Sequence, residues 1–122
     1  MLILAILVER SDMVELLLEH GADPNITDQE GNMSPLMHAV SRSLIRASYS
    51  LTKRNADVNL ADNNGVTALM MACALGDQSH CELLISKLAE PDAVDCNGWT
   101  ALHYCAFSGS AGIKSKVRIV HV

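Results

Sequence analysis

Histidine and cysteine stand close together twice in this chain, as His80-Cys81 and as Cys96, His103 and Cys105. These are zinc-ligand types, but a structural zinc site draws them in short paired spacings such as Cys-x2-Cys. No such spacing occurs, and no metal site is expected. Three acids, Asp28, Asp62 and Asp95, could act as general bases. They recur at intervals of 34 and 33 residues, whereas catalysis needs one asymmetric constellation of groups. Recurrence suits a carboxylate that accepts backbone N–H groups and fixes a turn, copy after copy. No Ser/Cys-His-acid arrangement can be argued from the spacing. Gly31, Gly65 and Gly98 are isolated turn residues, not a phosphate loop. Asn25-Ile26-Thr27 matches the glycosylation triplet and is read as a chance match. Neither an enzyme nor a cofactor is expected.

The elements that position these residues repeat. Asp-x-x-Gly occurs at Asp28/Gly31, Asp62/Gly65 and Asp95/Gly98. A helix-start signal follows each time, Ser34-Pro35-Leu36, Thr67-Ala68-Leu69 and Thr100-Ala101-Leu102, spaced 33 and 33. Periods of this size mark stacked repeat architectures. The unit runs Asp-x-x-Gly-x-Thr-x-Leu, a short Ala-rich helix, Gly, a Leu-rich helix, then Ala-Asp-x-Asn. It resembles the ankyrin repeat from Leu2 to about Ile113. The resemblance implies an all-α solenoid of stacked antiparallel helix pairs with β-hairpin-like finger loops. It divides a single domain, 1–122, into a partial repeat 1–27, repeats 28–61 and 62–94, and a degenerate last repeat 95–122. About three and a half repeats, begun and ended mid-unit, read as a fragment or truncated isoform.

Within that frame the chain predicts helices over 2–9 and 12–20, with Gly21 at positive φ as the stop. One extra residue between Gly31 and Ser34 should change the shape of the first finger tip. Ser34 caps a helix over 35–42, with Pro35 at its first position. Asn55 stands where Gly21 stood and closes a helix over about 45–54. The serine-rich segment around Ser48 makes this the softest layer expected. Thr67 caps 68–75, Gly76 breaks it, and 78–88 turns Cys81, Leu83, Leu84, Ile85 and Leu88 inward. A helix over 101–108 precedes a terminal stretch whose Ile113, Val117 and Val120 share one face.

Composition limits the function classes. With 49% apolar and 19% charged residues the chain should fold. Aromatic residues make up only 3%, so Ala and Leu must fill the close helix contacts. Cys73, Cys81 and Cys105 fall on helix positions that want small apolar side chains. Free buried thiols point to a reducing compartment, the cytoplasm with the nucleus as alternative. The opening MLILAILVE lacks a basic n-region and is too short to span a bilayer, so no membrane is expected. Residues 1–112 hold 14 acids against six Lys and Arg, and that acidic body argues against nucleic acid.

The expected partner is therefore another protein. The resemblance implies contact through the finger loops and the concave face of the inner helices. It assigns Arg42, Asn63, Asn64, Val66, Leu75, Asn97, Trp99 and Phe107 to that surface. The alternative is a non-binding structural segment or truncated product of a larger repeat protein. His103, in Thr-x-Leu-His, is assigned a structural hydrogen bond between neighbouring loops; Met37 and Met70 take its place earlier and should be unable to make it. Asn59, in Ala56-Asp57-Val58-Asn59, is similar to the asparagine that a cytosolic oxygen-sensing asparaginyl hydroxylase modifies, which makes that enzyme a candidate partner.

Overall fold

Three of the described helices begin at a side-chain cap, and the outer-row helices are closed by a left-handed residue. The computed structural model describes the backbone of residues 2–108 and the side chains of residues 2–106. The helices are α1 (Leu2–Leu7), α2 (Ser11–Glu19), α3 (Pro35–Ser41), α4 (Ile45–Lys53), α5 (Ala68–Leu75), α6 (Gln78–Ser86) and α7 (Ala101–Ser108). The expected terminal face of Ile113, Val117 and Val120 lies outside the described residues. Ser34 Oγ accepts the Met37 N–H at 3.2 Å and Thr67 Oγ1 accepts the Met70 N–H at 3.3 Å. An Asp77 carboxylate oxygen does the same for the His80 N–H at 3.1 Å. Each cap satisfies a donor that the helix cannot, worth about 1 kcal/mol.

The helices form two rows. α1, α3, α5 and α7 pack in sequence along one row, and α2, α4 and α6 along the other. Each pair α1/α2, α3/α4 and α5/α6 is a layer, and the buried set runs through all of them, including Ile6, Val14, Leu36, Leu51, Leu69, Leu84 and Cys105. This is the all-α stack of helix pairs that the sequence predicts.

The β-hairpin-like fingers are not there. Among the described residues no β-strand forms, and only an isolated bridge joins Ala61 and Thr67. The reason lies in where the backbone donors go. Asp28 Oδ1 accepts the N–H groups of Gly31 and Met33, Asp62 Oδ1 those of Asn64 and Val66, and Asp95 Oδ1 those of Asn97 and Trp99. Each loop keeps a backbone bond from Asp28, Asp62 or Asp95 N–H to Met33, Val66 or Trp99 C=O at 3.0 Å, and in the second and third loops Gly65 and Gly98 N–H also close the turn onto Asp62 and Asp95 C=O. A carboxylate-closed turn with a single rung has no ladder to extend. The first loop does differ at its tip. Gly65 and Gly98 hold positive φ in the other two, whereas in the first it is Asn32, the residue after Gly31, at φ 58°.

The left-handed stops recur at one place in each outer helix end: Gly21 at φ 88°, Asn55 at 66° and Leu88 at 65°. Leu88 thus overturns its expected inward placement. The position requires a backbone reversal that throws the side chain out, and Leu88 is 83% exposed. A β-carbon costs roughly 1–2 kcal/mol in this conformation, against roughly 0.5–1 kcal/mol for the extra freedom of an unfolded glycine. Leu88→Gly should therefore stabilise the chain by roughly 0.5–1 kcal/mol. A higher urea midpoint at unchanged slope is the expected result; an unchanged or lower midpoint would remove the strain argument.

Candidate functional site

The stacked loops form one edge of the molecule, and each is tied to its neighbour. Asn63 N–H donates to Gly31 C=O at 2.9 Å, and Cys96 N–H donates to Asn64 C=O at 2.8 Å. A second set of ties runs through asparagine side chains. Asn25 Oδ1 accepts the Asp57 N–H and Asn59 Oδ1 accepts the Glu90 N–H, each at 2.7 Å across one layer. Asn59 therefore holds the following layer.

The free oxygens of two loop aspartates have partners the sequence did not announce. His38 Nε2 lies 2.8 Å from Asp28 Oδ2, and the Tyr104 hydroxyl donates to Asp95 Oδ2. The His38 ring, then the Met33 and Gly31 N–H groups, hold the Asp28 carboxyl below the ordinary carboxylate range. Tyr104 does so for Asp95, seconded by the Trp99 N–H, and Asp95 in turn pushes the phenol up to about 12. His38, Met71 and Tyr104 are equivalent, 33 residues apart, so the middle loop has a methionine where its neighbours have a donor.

His103 bonds within its own cap, its Nδ1 accepting the Thr100 N–H at 3.0 Å. The bond between neighbouring loops expected of His103 is thus replaced by one inside its own turn, and Met70 makes the counterpart of that local bond. Its thioether accepts the Thr67 N–H at 3.5 Å, a weak version of the same bond, because the sulfur reaches the same point in space.

A Ser-His-Asp chain exists after all. Asp77 Oδ2 lies 2.7 Å from His80 Nδ1, and His80 Nε2 lies 2.8 Å from Ser48 Oγ. The three come from two layers, and the Ser48 to His80 step spans 32 residues, which no local spacing reveals. Burial pushes the Asp77 carboxyl up, but the His80 ring and N–H together with Ser43 hold it below its ordinary value. The order of groups is that of a hydrolase triad, yet Ser48 and His80 are both 0% exposed. A hydroxyl that no substrate can reach does no acyl transfer. The chain joins α4 to α6 and satisfies three polar groups at once. Among the described residues no buried side-chain nitrogen or oxygen lacks a partner.

The thiols are equally internal. Cys73, Cys81 and Cys105 are buried and Cys96 is exposed. Cys73 Sγ lies 3.8 Å from Cys81 Sγ, and the Cys81 contact, burial and Cys105 all push the Cys73 thiol up. Among the described residues no group of three His, Cys, Asp or Glu side chains could hold a metal ion.

The residues assigned to a partner surface fall in two groups. Asn63, Asn64 and Asn97 are exposed on the tied loops. Arg42 and Leu75, 33 residues apart, end the neighbouring helices α3 and α5, and both are exposed. Val66 and Trp99 are half-buried: Val66 packs on the core, and the Trp99 ring stands edge-on to Tyr104 with centroids 5.2 Å apart. The Phe107 side chain lies outside the described residues.

Comparison with known proteins agrees with this architecture. The family profile of ankyrin repeats in three copies matches residues 2–95 and again 36–116. The chain is 35% identical over 106 residues to the palmitoyltransferase AKR1 of Lachancea kluyveri, covering 83% of this chain and 14% of that protein. It is 33% identical over 101 residues to human transient receptor potential cation channel subfamily A member 1, covering 81% and 9%. Mouse neurogenic locus notch homolog protein 1 is 38% identical over 104 residues, covering 84% and 4%. The chain thus spans a small part of the length of these relatives.

The buried relay carries its own test. Ser48→Ala leaves the His80 ring with one polar atom unpaired in the interior, a cost of about 1–3 kcal/mol. Equilibrium urea unfolding should show a loss in that range. A midpoint within error of the parent would mean that the hydroxyl does not hold the layers.

Proposed function

The chain belongs to the ankyrin repeat family, and on that premise we propose that it is a protein-binding module whose partner lies across the tied loops and the ends of α3 and α5. The observation that carries this reading is Leu75. A leucine 54% exposed at the end of an inner-row helix is not needed for stacking, and it holds the position in α5 that exposed Arg42 holds at the end of neighbouring α3. An exposed apolar side chain with an exposed arginine at the matching position of the next layer suits the composition of a binding hot spot. Half-buried Trp99 and Val66 add apolar surface on the loop edge, although Trp99 already packs on Tyr104 and so also supports the loop. The names of the relatives support the reading in one further way. A palmitoyltransferase, a cation channel and a notch homolog share this stretch as a small part of each, which suits a recognition module better than a seat of chemistry.

A finer reading concerns Asn59. Its context suits an asparaginyl hydroxylase, which would have to release the 2.7 Å bond to Glu90 N–H before acting. Intact-mass analysis of chain co-expressed with such an enzyme decides the matter: one added oxygen on Asn59 supports it, and none sinks it.

The main reading is tested at Leu75, whose exposure separates binding from folding. Leu75→Ala should leave the urea midpoint within about 0.5 kcal/mol of the parent, as exposed sites usually do. Affinity for a partner recovered with the parent chain should fall about tenfold, or 1.4 kcal/mol. Undiminished binding by Leu75→Ala and by Trp99→Ala would place the partner elsewhere.

A further inference from the structure

The cations of this chain are distributed against its acidity. Of the six Lys and Arg residues in 2–108, four line a single groove between the outer-row helices: Arg46, Lys53, Arg54 and Lys87. The groove measures about 660 Å³ and runs along α4 between α2 and the end of α6. Arg46 approaches Glu15 at 3.6 Å. Lys53, Arg54 and Lys87 have no ion pair among the described residues, in a body that carries 14 acids. Cations at the ends of α4 and α6 favour the helix termini. That accounts for each one singly. It does not account for three unpaired charges converging on one concavity, which repel each other there. Tyr49, 59% exposed, adds a polar-tipped aromatic wall to the same groove.

We propose that this outer-row groove is a second binding site, distinct from the loop edge, and that it takes an acidic peptide segment of a partner protein. The shape of the surrounding charge selects a narrow occupant. An extended strand bearing carboxylates is narrow enough to run along a groove between helices, where its charges act on the lining cations over a Debye length of about 8 Å. A wide anionic surface, bilayer or duplex, would also face the acidic remainder of the body and be repelled by it. Glu15 and Glu19 also line the groove and set a limit. Glu15 is engaged with Arg46 and Ser50, which leaves Glu19 against three cations. The local balance is therefore positive where the molecule as a whole is negative.

Fluorescence anisotropy with a labelled oligoglutamate peptide tests this, with oligoglutamine of equal length as control. The expected result is saturable binding of oligoglutamate alone, weakening as salt rises from about 50 to 300 mM. The triple variant K53Q/R54Q/K87Q should lose about tenfold or more in affinity while its circular dichroism spectrum stays that of the parent. Leu75→Ala should bind the peptide as the parent does, which separates this site from the loop edge. Chemical-shift changes confined to residues 46–54 and 87 give a second measure independent of the variant. No saturable binding, equal binding by the triple variant, or binding of phosphatidylserine vesicles in place of the peptide would each overturn the proposal.

Discussion

None of the helices described is long enough to persist alone. The longest have nine residues, while isolated helices below about 12–15 residues are marginal in water. Each exists because the next layer covers its apolar face, and the rest of the structure serves that dependence. Caps on Ser34, Thr67 and Asp77 set where a helix begins. Left-handed residues set where it ends. The loop ties and the Asn25 and Asn59 bridges keep one layer at a fixed height above the last. Contacts of this kind run only between neighbours, so the array is stable as a sum of layers and interfaces.

What could be read from the sequence was what acts over a few residues. A cap needs one side chain and one N–H three positions on, so Ser34-Pro35 and Thr67 announced themselves. The stop at Asn55 did too, because few residues tolerate that backbone geometry. Leu88 misled for the same reason in reverse: an apolar residue suggested burial, while its place in the period demanded a turn. The loops misled in another way. Their Asp-x-x-Gly signature was legible, and so was a carboxylate fixing a turn. That the carboxylate would absorb the donors of a hairpin ladder required counting every N–H in the loop.

The relay of Asp77, His80 and Ser48 shows the opposite limit. In the sequence His80 stood out only as a zinc-ligand type beside Cys81, and the serines around Ser48 made the α4 layer look soft. Two polar residues in adjacent layers meet and satisfy each other, at a sequence distance of 32 residues. A polar residue in an apolar period is a question about its partner, and one repeat alone does not contain the answer. The partner surface is harder still. Exposed Leu75 and Arg42 are legible as positions, but a surface has no period to betray it.

The buried thiols give the stack an internal clock. Cys73, Cys81 and Cys105 sit in α5, α6 and α7, shut away from solvent, with the Cys73 thiol held far from ionisation. Only a thiolate in contact with solvent reacts at an ordinary rate. Cys96 on the loop edge is open to solvent at all times; the other three are open to it only while two layers stand apart. Oxidants and alkylating agents therefore see one cysteine in the folded molecule and four in an opened one. The arrangement turns separation of the layers, a reversible event without a covalent trace, into one that leaves a chemical mark.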